Sequence, residues 1–225
     1  MENLITFFTK MGKLWLKYDN VFLQGLIGTL WISVVTVVLG TVLGTILALM
    51  RMGKFKPTSL LAKAYIEVFR GTPALLQLYF FWIGMPKLIP EINDTQSIVT
   101  GLVISTAAYI AEIIRAGIGA VDKGQWEAAM SIGLSKKNMM TRVILPQAVK
   151  NILPALGNEF ISTVKGTSLA STFFVGELMT SQRVVQSATY LALHSLTIVG
   201  IIYFVLNFVL SKGLLIIERR LTVSD

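Results

Sequence analysis

Four side chains in this sequence have the type and the spacing to hold a small polar solute: Ser105, Thr106, Glu159 and Lys165. Glu159 and Lys165 follow Lys150 by nine and fifteen residues, which on a helix rising ~1.5 Å per residue sets them roughly 14 and 22 Å beyond that lysine. Counting back from Arg115 by the same rise sets Ser105 and Thr106 at about 15 Å. An anion, a cation and two hydroxyls at a similar depth match the ammonium, carboxylate and polar tail of an amino acid. Mutual neutralisation of Glu159 and Lys165 is the plainer alternative, although a separation of six residues does not put them on one helical face. The run Lys165-Gly166-Thr167-Ser168 predicts an unwound turn whose freed backbone groups line a cavity, with Thr167 and Ser168 as further ligands.

Depth has meaning only if these residues lie on membrane-crossing helices, and the composition supports that. Hydrophobic residues make up 54% of the 225-residue chain, and mean hydropathy is +0.69. No charged residue occurs from Val21 to Met50 or from Val184 to Ser211, and either run exceeds the roughly 20 residues a helix needs to cross a bilayer. Two shorter charge-free runs, Gly71 to Pro86 and Thr95 to Ala111, are completed by flanking side chains that snorkel. A fifth span falls between Val149 and Gly176. Ionisable groups at membrane depth are costly unless they face water or a partner, which makes Glu159 and Lys165 functional candidates by default.

Orientation follows from the basic residues. With the N-terminus outside and five spans, thirteen are cytoplasmic: Arg51, Lys54, Lys56 and Lys63, the six from Arg115 through Lys150, then Lys212, Arg219 and Arg220. Five (Lys10, Lys13, Lys17, Lys87 and Arg183) stay outside, and this imbalance obeys the positive-inside rule. The expected fold is an all-α membrane protein of five transmembrane helices, its C-terminus cytoplasmic. The net charge of +8 reads as orientation and contact with membrane lipids; no nucleic acid is implied, because the basic residues lack interleaved aromatics.

Residues 1–20 form an N-terminal segment whose Leu4, Ile5, Phe7, Phe8, Met11, Leu14 and Trp15 recur at helical spacing. They predict an amphipathic helix on the bilayer surface, or a helix packed on the bundle, and no removable leader. Thr36, Gly40, Gly44 and Ala48 form a stripe of small residues for close helix packing. A helix restarts after Pro57 at Thr58 or Ser59, with Lys63, Glu67 and Arg70 as an ion-pair ladder. Gly71-Thr72-Pro73 then predicts a kink or restart with Thr72 as cap, and Glu112 pairs with Arg115. Cysteine is absent, and the one histidine, His194, reads as a packing residue in an apolar span. There is no internal repeat, so residues 21–221 are expected to form one bundle.

Between the third and fourth spans the stretch Gly119 to Pro146 is far longer than a helix connection needs. Gly124 to Ile132 predicts a short helix, Gly133 a turn through positive φ, and Leu134 to Leu145 a second helix. A helix–turn–helix knob on the cytoplasmic face suits docking into a groove on another protein.

Glu127-Ala128-Ala129, then Gly133, then Ile144-Leu145-Pro146 resemble the EAA loop of ABC importer permeases. The likeness extends through Tyr65 to Pro73, Ala108 to Gly117 and Lys165 to Leu169. Over residues 21–221 the chain is similar to the polar amino-acid uptake permeases of histidine, glutamine, arginine and cystine type. That resemblance implies coupling residues Glu127, Ala128, Ala129, Gly133 and Leu134, which would fit a cleft on an ABC ATPase subunit. It also implies an ATPase dimer, a second permease subunit, an extracytoplasmic substrate-binding protein, an amino-acid substrate and a bacterial cytoplasmic membrane. ATP and Mg would be bound by the ATPase, with no cofactor and no catalysis in this chain. The alternative, a self-sufficient secondary transporter or channel, explains the spans but leaves the knob without a purpose. No phosphate-cradling loop or metal-ligand cluster suggests an enzyme.

Overall fold

The computed structural model describes residues 3–222, so Met1 and Glu2, the start of the N-terminal segment, lie outside the described residues. Nine α-helices account for most of them: α1 (Leu4–Met52), α2 (Lys56–Gly71), α3 (Ala74–Leu88), α4 (Asp94–Gly119), α5 (Lys123–Ser131), α6 (Lys136–Met139), α7 (Leu145–Gly166), α8 (Leu178–Thr189) and α9 (Ala192–Thr222). A π-helical turn, Met140–Ile144, joins α6 to α7, and a 3-10 segment, Thr167–Phe173, follows α7. Among the described residues three helices, α1, α4 and α9, are long and apolar enough to cross a membrane. The break between α2 and α3 and the polar residues of α7 keep the other two expected spans below that length and apolarity.

α4 is the central helix. In its most apolar window 61% of residues are buried, against 22% for α9, whose Phe204, Phe208 and Val209 face outward as lipid contacts would. Asn93 starts α4 with a capping box, its side chain accepting from Gln96 N while Gln96 Oε1 accepts from Asn93 N. α1 packs along α4 through the expected small-residue stripe, all four members of which are buried. A Cβ on Gly44 would stand 2.9 Å from the carbonyl oxygen of Ala107, so only glycine lets the two backbones come this close.

The N-terminal segment is a helix of its own, contiguous with the rest of α1 but set off from it by a kink. Non-helical angles at Tyr18 make the bend, and the bend lays Leu14 and Met11 against Leu178, Val185 and Ile198. Leu4, Ile5 and Phe8 stay exposed on the other side. His194 stacks on Phe7 at 4.4 Å between ring centres, the packing role expected of it.

Several local expectations are corrected. Helix α2 begins at Lys56, with Pro57 in its first turn, two residues before the expected restart. Lys63 does pair with Glu67 at 3.7 Å, but Arg70 leaves that ladder. It reaches Glu112 on α4 at 3.9 Å, where Arg51 and Arg115 already bind at 2.5 Å, so one carboxylate ties α1, α2 and α4. The chain restarts at Ala74 with Pro73 in the cap position. Thr72 does not cap: its hydroxyl donates to Val68 O and accepts from Gln77 Nε2. The charge-free run from Val184 to Ser211 is two helices, because Tyr190 takes a left-handed conformation (φ 59°) that ends α8 before α9 starts.

Candidate functional site

A cavity of about 240 Å³ opens between α4 and α7, and its walls follow one helical rule. α4 contributes Leu102, Ser105, Thr106 and Tyr109; α7 contributes Glu159, Ser162, Thr163 and Gly166. Each set steps by three, one and three residues, the spacing that keeps side chains on one face of an α-helix. Ala74 at the start of α3 and Leu169 of the 3-10 segment complete the lining. The volume corresponds to about eight liquid waters, room for a small polar solute.

The lining carries one carboxylate, four hydroxyls from Ser105, Thr106, Ser162 and Thr163, and the tyrosine Tyr109. Glu159 is half-buried, and the buried hydroxyl of Thr163 has no hydrogen-bond partner among the described residues. A buried hydroxyl left without a protein acceptor is suited to a ligand or a water. The lining can offer one carboxylate and several hydroxyls to a cationic or polar group.

Of the residues expected to line such a site, Ser105, Thr106 and Glu159 come together here. Lys165 does not. It is exposed, and no ion pair joins it to Glu159 among the described residues, so the proposed neutralisation is also absent. Six residues on a helix rotate a side chain about 120° off the starting face at 3.6 residues per turn. Thr167 and Ser168 also miss the cavity, because the chain after Gly166 tightens into 3-10 helix instead of unwinding. The Thr167 hydroxyl is fully buried and donates to Val164 O; that of Ser168 donates to Lys165 O. Ser162, Thr163 and Tyr109 went unnoticed in the sequence, although each lies three or four residues from a named candidate.

The sequence reading also passed over Glu177. Its carboxylate is fully buried at the start of α8 and accepts from Met179 N at 2.8 Å, Thr180 N at 2.7 Å and the Tyr203 hydroxyl at 3.0 Å. Leu178 N donates in turn to Thr29 Oγ1 of α1. These contacts join α1, α8 and α9 behind the 3-10 segment.

The helix–turn–helix knob has the expected form. Asp122 caps α5, its side chain accepting from Gly124 N, and Gly133 turns the chain at φ 76°. Glu127 and Ala128 are exposed, as is Gly133, while Leu134 is half-buried. Ala129 is not available to a partner: it is 3% exposed and packs with Ile118, Met139, Ile144 and Ala148. The second helix does not end at Pro146 but runs through the π turn into α7.

Comparison with known proteins gives a consistent answer. Residues 40–223 match the model of the family described as "Binding-protein-dependent transport system inner membrane component". The arginine transport system permease protein ArtQ of Bacillus subtilis (strain 168) is 41% identical over 204 residues, covering 90% of this chain and 93% of that one. The probable glutamine ABC transporter permease protein GlnM of the same organism is 38% identical over 209 residues, covering 92% and 97%. A crystal structure described as an amino acid ABC transporter with histidines superposes with a TM-score of 0.89 at 44% identity, covering 91% of this chain and 96% of that one. This chain belongs to the binding-protein-dependent transport system inner membrane component family, the membrane permease subunits of ABC transporters.

Proposed function

We propose that this chain forms the membrane pathway of a bacterial ABC importer for amino acids, and that the cavity between α4 and α7 is where the amino acid rests. The observation that carries the reading is the half-buried Glu159 of α7, with Thr163 on the same helical face, set opposite the hydroxyls of Ser105 and Thr106 of α4 across a space of solute size. A carboxylate with hydroxyl neighbours recognises an ammonium or guanidinium. The named cargo of relatives, arginine in one and glutamine in another, fits the same chemistry. Lys165, Thr167 and Ser168 lie off the lining and have a lesser part in this reading.

In this reading the chain crosses the membrane five times, from an outer N-terminus to a cytoplasmic C-terminus. α1, α4 and α9 make three crossings; the α2–α3 pair and α7 with its 3-10 extension make the others. Residues 21–221 are the transmembrane domain and residues 1–20 its N-terminal extension. The basic excess at the ends of α1 and α9 and in the α5–α6 knob supports that orientation. α5 is the helix that docks on an ABC ATPase dimer, through Glu127 and Ala128, with Gly133 and Leu134 shaping the turn. ATP and Mg are bound by that partner. A second permease subunit and an extracytoplasmic binding protein complete the importer.

The test is Glu159→Gln in the reconstituted complex with its ATPase and binding protein. Substrate-stimulated ATP hydrolysis should lose about tenfold or more in apparent substrate affinity, since one charged hydrogen bond contributes about 1.5–3 kcal/mol. An unchanged substrate dependence removes Glu159 from the site. Uptake by the chain alone under an ion gradient would replace the importer reading with that of a secondary transporter.

A further inference from the structure

A second concave site lies at the opposite end of α2 from the cavity. Where α1 ends and α2 begins, Gly53, Lys56, Pro57, Ser59, Leu60 and Lys63 line a groove of about 600 Å³. Its two lysines are seven residues apart, two helical turns on the same face, so their stems rise about 10.5 Å apart. Four-carbon stems let both ammonium groups bend toward one anion between them. The polar floor is already engaged, the Ser59 hydroxyl donating to Arg51 O at 2.7 Å. Among the described residues no carboxylate pairs with Lys56, and Lys63 has only the loose, exposed contact to Glu67 at 3.7 Å. Such a surface pair gives little stabilisation and yields readily to a stronger anion.

The rim separates a lipid from a free anion. Phe55, Leu60 and Leu61 are each about two-thirds exposed beside the lysines. They follow directly on α1, whose uncharged stretch ends at Met50 with Arg51 as the first charge, so the groove sits at the edge of the hydrocarbon layer. A soluble phosphate would use the lysines and leave these apolar groups idle. A phospholipid uses both, its phosphate on the ammonium groups and an acyl chain along the leucines.

We propose that the groove between the end of α1 and the start of α2 binds an anionic phospholipid, the phosphate held by Lys56 and Lys63 and an acyl chain lying along Leu60 and Leu61. The inference depends on the chain crossing a membrane and not on which solute it carries.

The experiment is native mass spectrometry of the detergent-purified transporter, chain and partner ATPase together, titrated with phosphatidylglycerol and, separately, with phosphatidylcholine. Wild type should retain phosphatidylglycerol selectively. At about fivefold per lysine, Lys56→Gln with Lys63→Gln should weaken the tightest phosphatidylglycerol by about thirtyfold, while Lys56→Arg with Lys63→Arg should keep it. A control pair, Lys13→Gln with Lys87→Gln, removes the same charge elsewhere and should leave binding unchanged. Equal retention by the glutamine and control pairs overturns the site. Displacement by glycerol phosphate as effective as by the lipid overturns the lipid assignment, and release of the ATPase by the glutamine pair would show that an acidic protein surface occupies the groove instead.

Discussion

Replacing Glu177 tests whether one buried carboxylate holds α8 and α9 together. Its two oxygens face the N–H groups of Met179 and Thr180 and the Tyr203 hydroxyl, while the Thr180 hydroxyl donates to Val175 O at 2.6 Å. Tyr203→Phe removes one buried hydrogen bond to a charged acceptor, which costs about 1.5–3 kcal/mol. Glu177→Gln keeps the shape but brings in an NH₂ group. In either orientation of the amide that group faces a backbone N–H, Met179 on one side or Thr180 on the other. One lost acceptor and one donor set against a donor cost about 3 kcal/mol. Because Met179 N and the Tyr203 hydroxyl share Oε2, the substitutions must interact, and the double variant should cost about 1–2 kcal/mol less than the sum of the singles. Unfolding by sodium dodecyl sulfate in mixed micelles measures all four corners of this cycle. Single-variant costs that add to within about 0.5 kcal/mol would show that carboxylate and phenol do not act on each other, and a Glu177→Gln cost below that figure would remove the carboxylate as the acceptor.

Two further outcomes follow from packing. Gly44→Val forces α1 away from Ala107 and Ile110 on α4 and should destabilise the bundle by about 1–3 kcal/mol, whereas Gly12→Ala, exposed in the same helix with no heavy atom within 4 Å of its added carbon, should stabilise by up to about 1 kcal/mol; thermal unfolding of the purified protein compares them. In the knob, exposed Ala128→Arg should reduce copurification of the ATPase at least tenfold with an unchanged thermal midpoint. Buried Ala129→Arg should instead lower the midpoint itself, because its side chain enters the cluster around Ile144; equal behaviour of the two would contradict the inward placement of Ala129.

What could be read from the sequence divides along a physical line between position on an axis and direction around it. Counting from Arg115 and Lys150 put Ser105, Thr106 and Glu159 at a common depth, since rise per residue is nearly constant and α4 and α7 run through those counts unbroken. The same count admitted Lys165, whose depth says nothing of its direction. The helical spacing that joins Glu159 to Ser162 and Thr163 was available and would have drawn the wall of the cavity. Absence of charge likewise marked the apolar run from Val184 without revealing the left-handed Tyr190 that divides it, because a helix break needs no charge. Glu177 illustrates a harder limit. Its capping contacts are local, two and three residues away, but its partner Tyr203 lies twenty-six residues on and meets it only once α8 and α9 are folded together.

The cavity and the knob are parts of one continuous rod. From α6 the chain passes through the π turn into α7 without an interruption, and fourteen residues separate Leu145 from Glu159, about 21 Å of helix. The knob is fastened to that rod at its base: Ala129 of α5 and Met139 of α6 pack on Ile144, Ala148 and Ile152, and Ile118 and Val121 close the cluster from the end of α4. Close packing of this kind transmits displacement, because a filled interface resists compression. If the ATPase grips α5, a push there reaches Glu159 along α7, with the π turn and Pro154, whose ring removes one backbone donor from the helix, as places where the hydrogen-bond ladder is interrupted and rotation can be absorbed. A self-contained carrier needs no such lever. The inward-facing Ala129 fills the joint between the proposed docking helix and α7, and under the proposed function it is through that filled joint that a surface on α5 would act on the cavity beside Glu159.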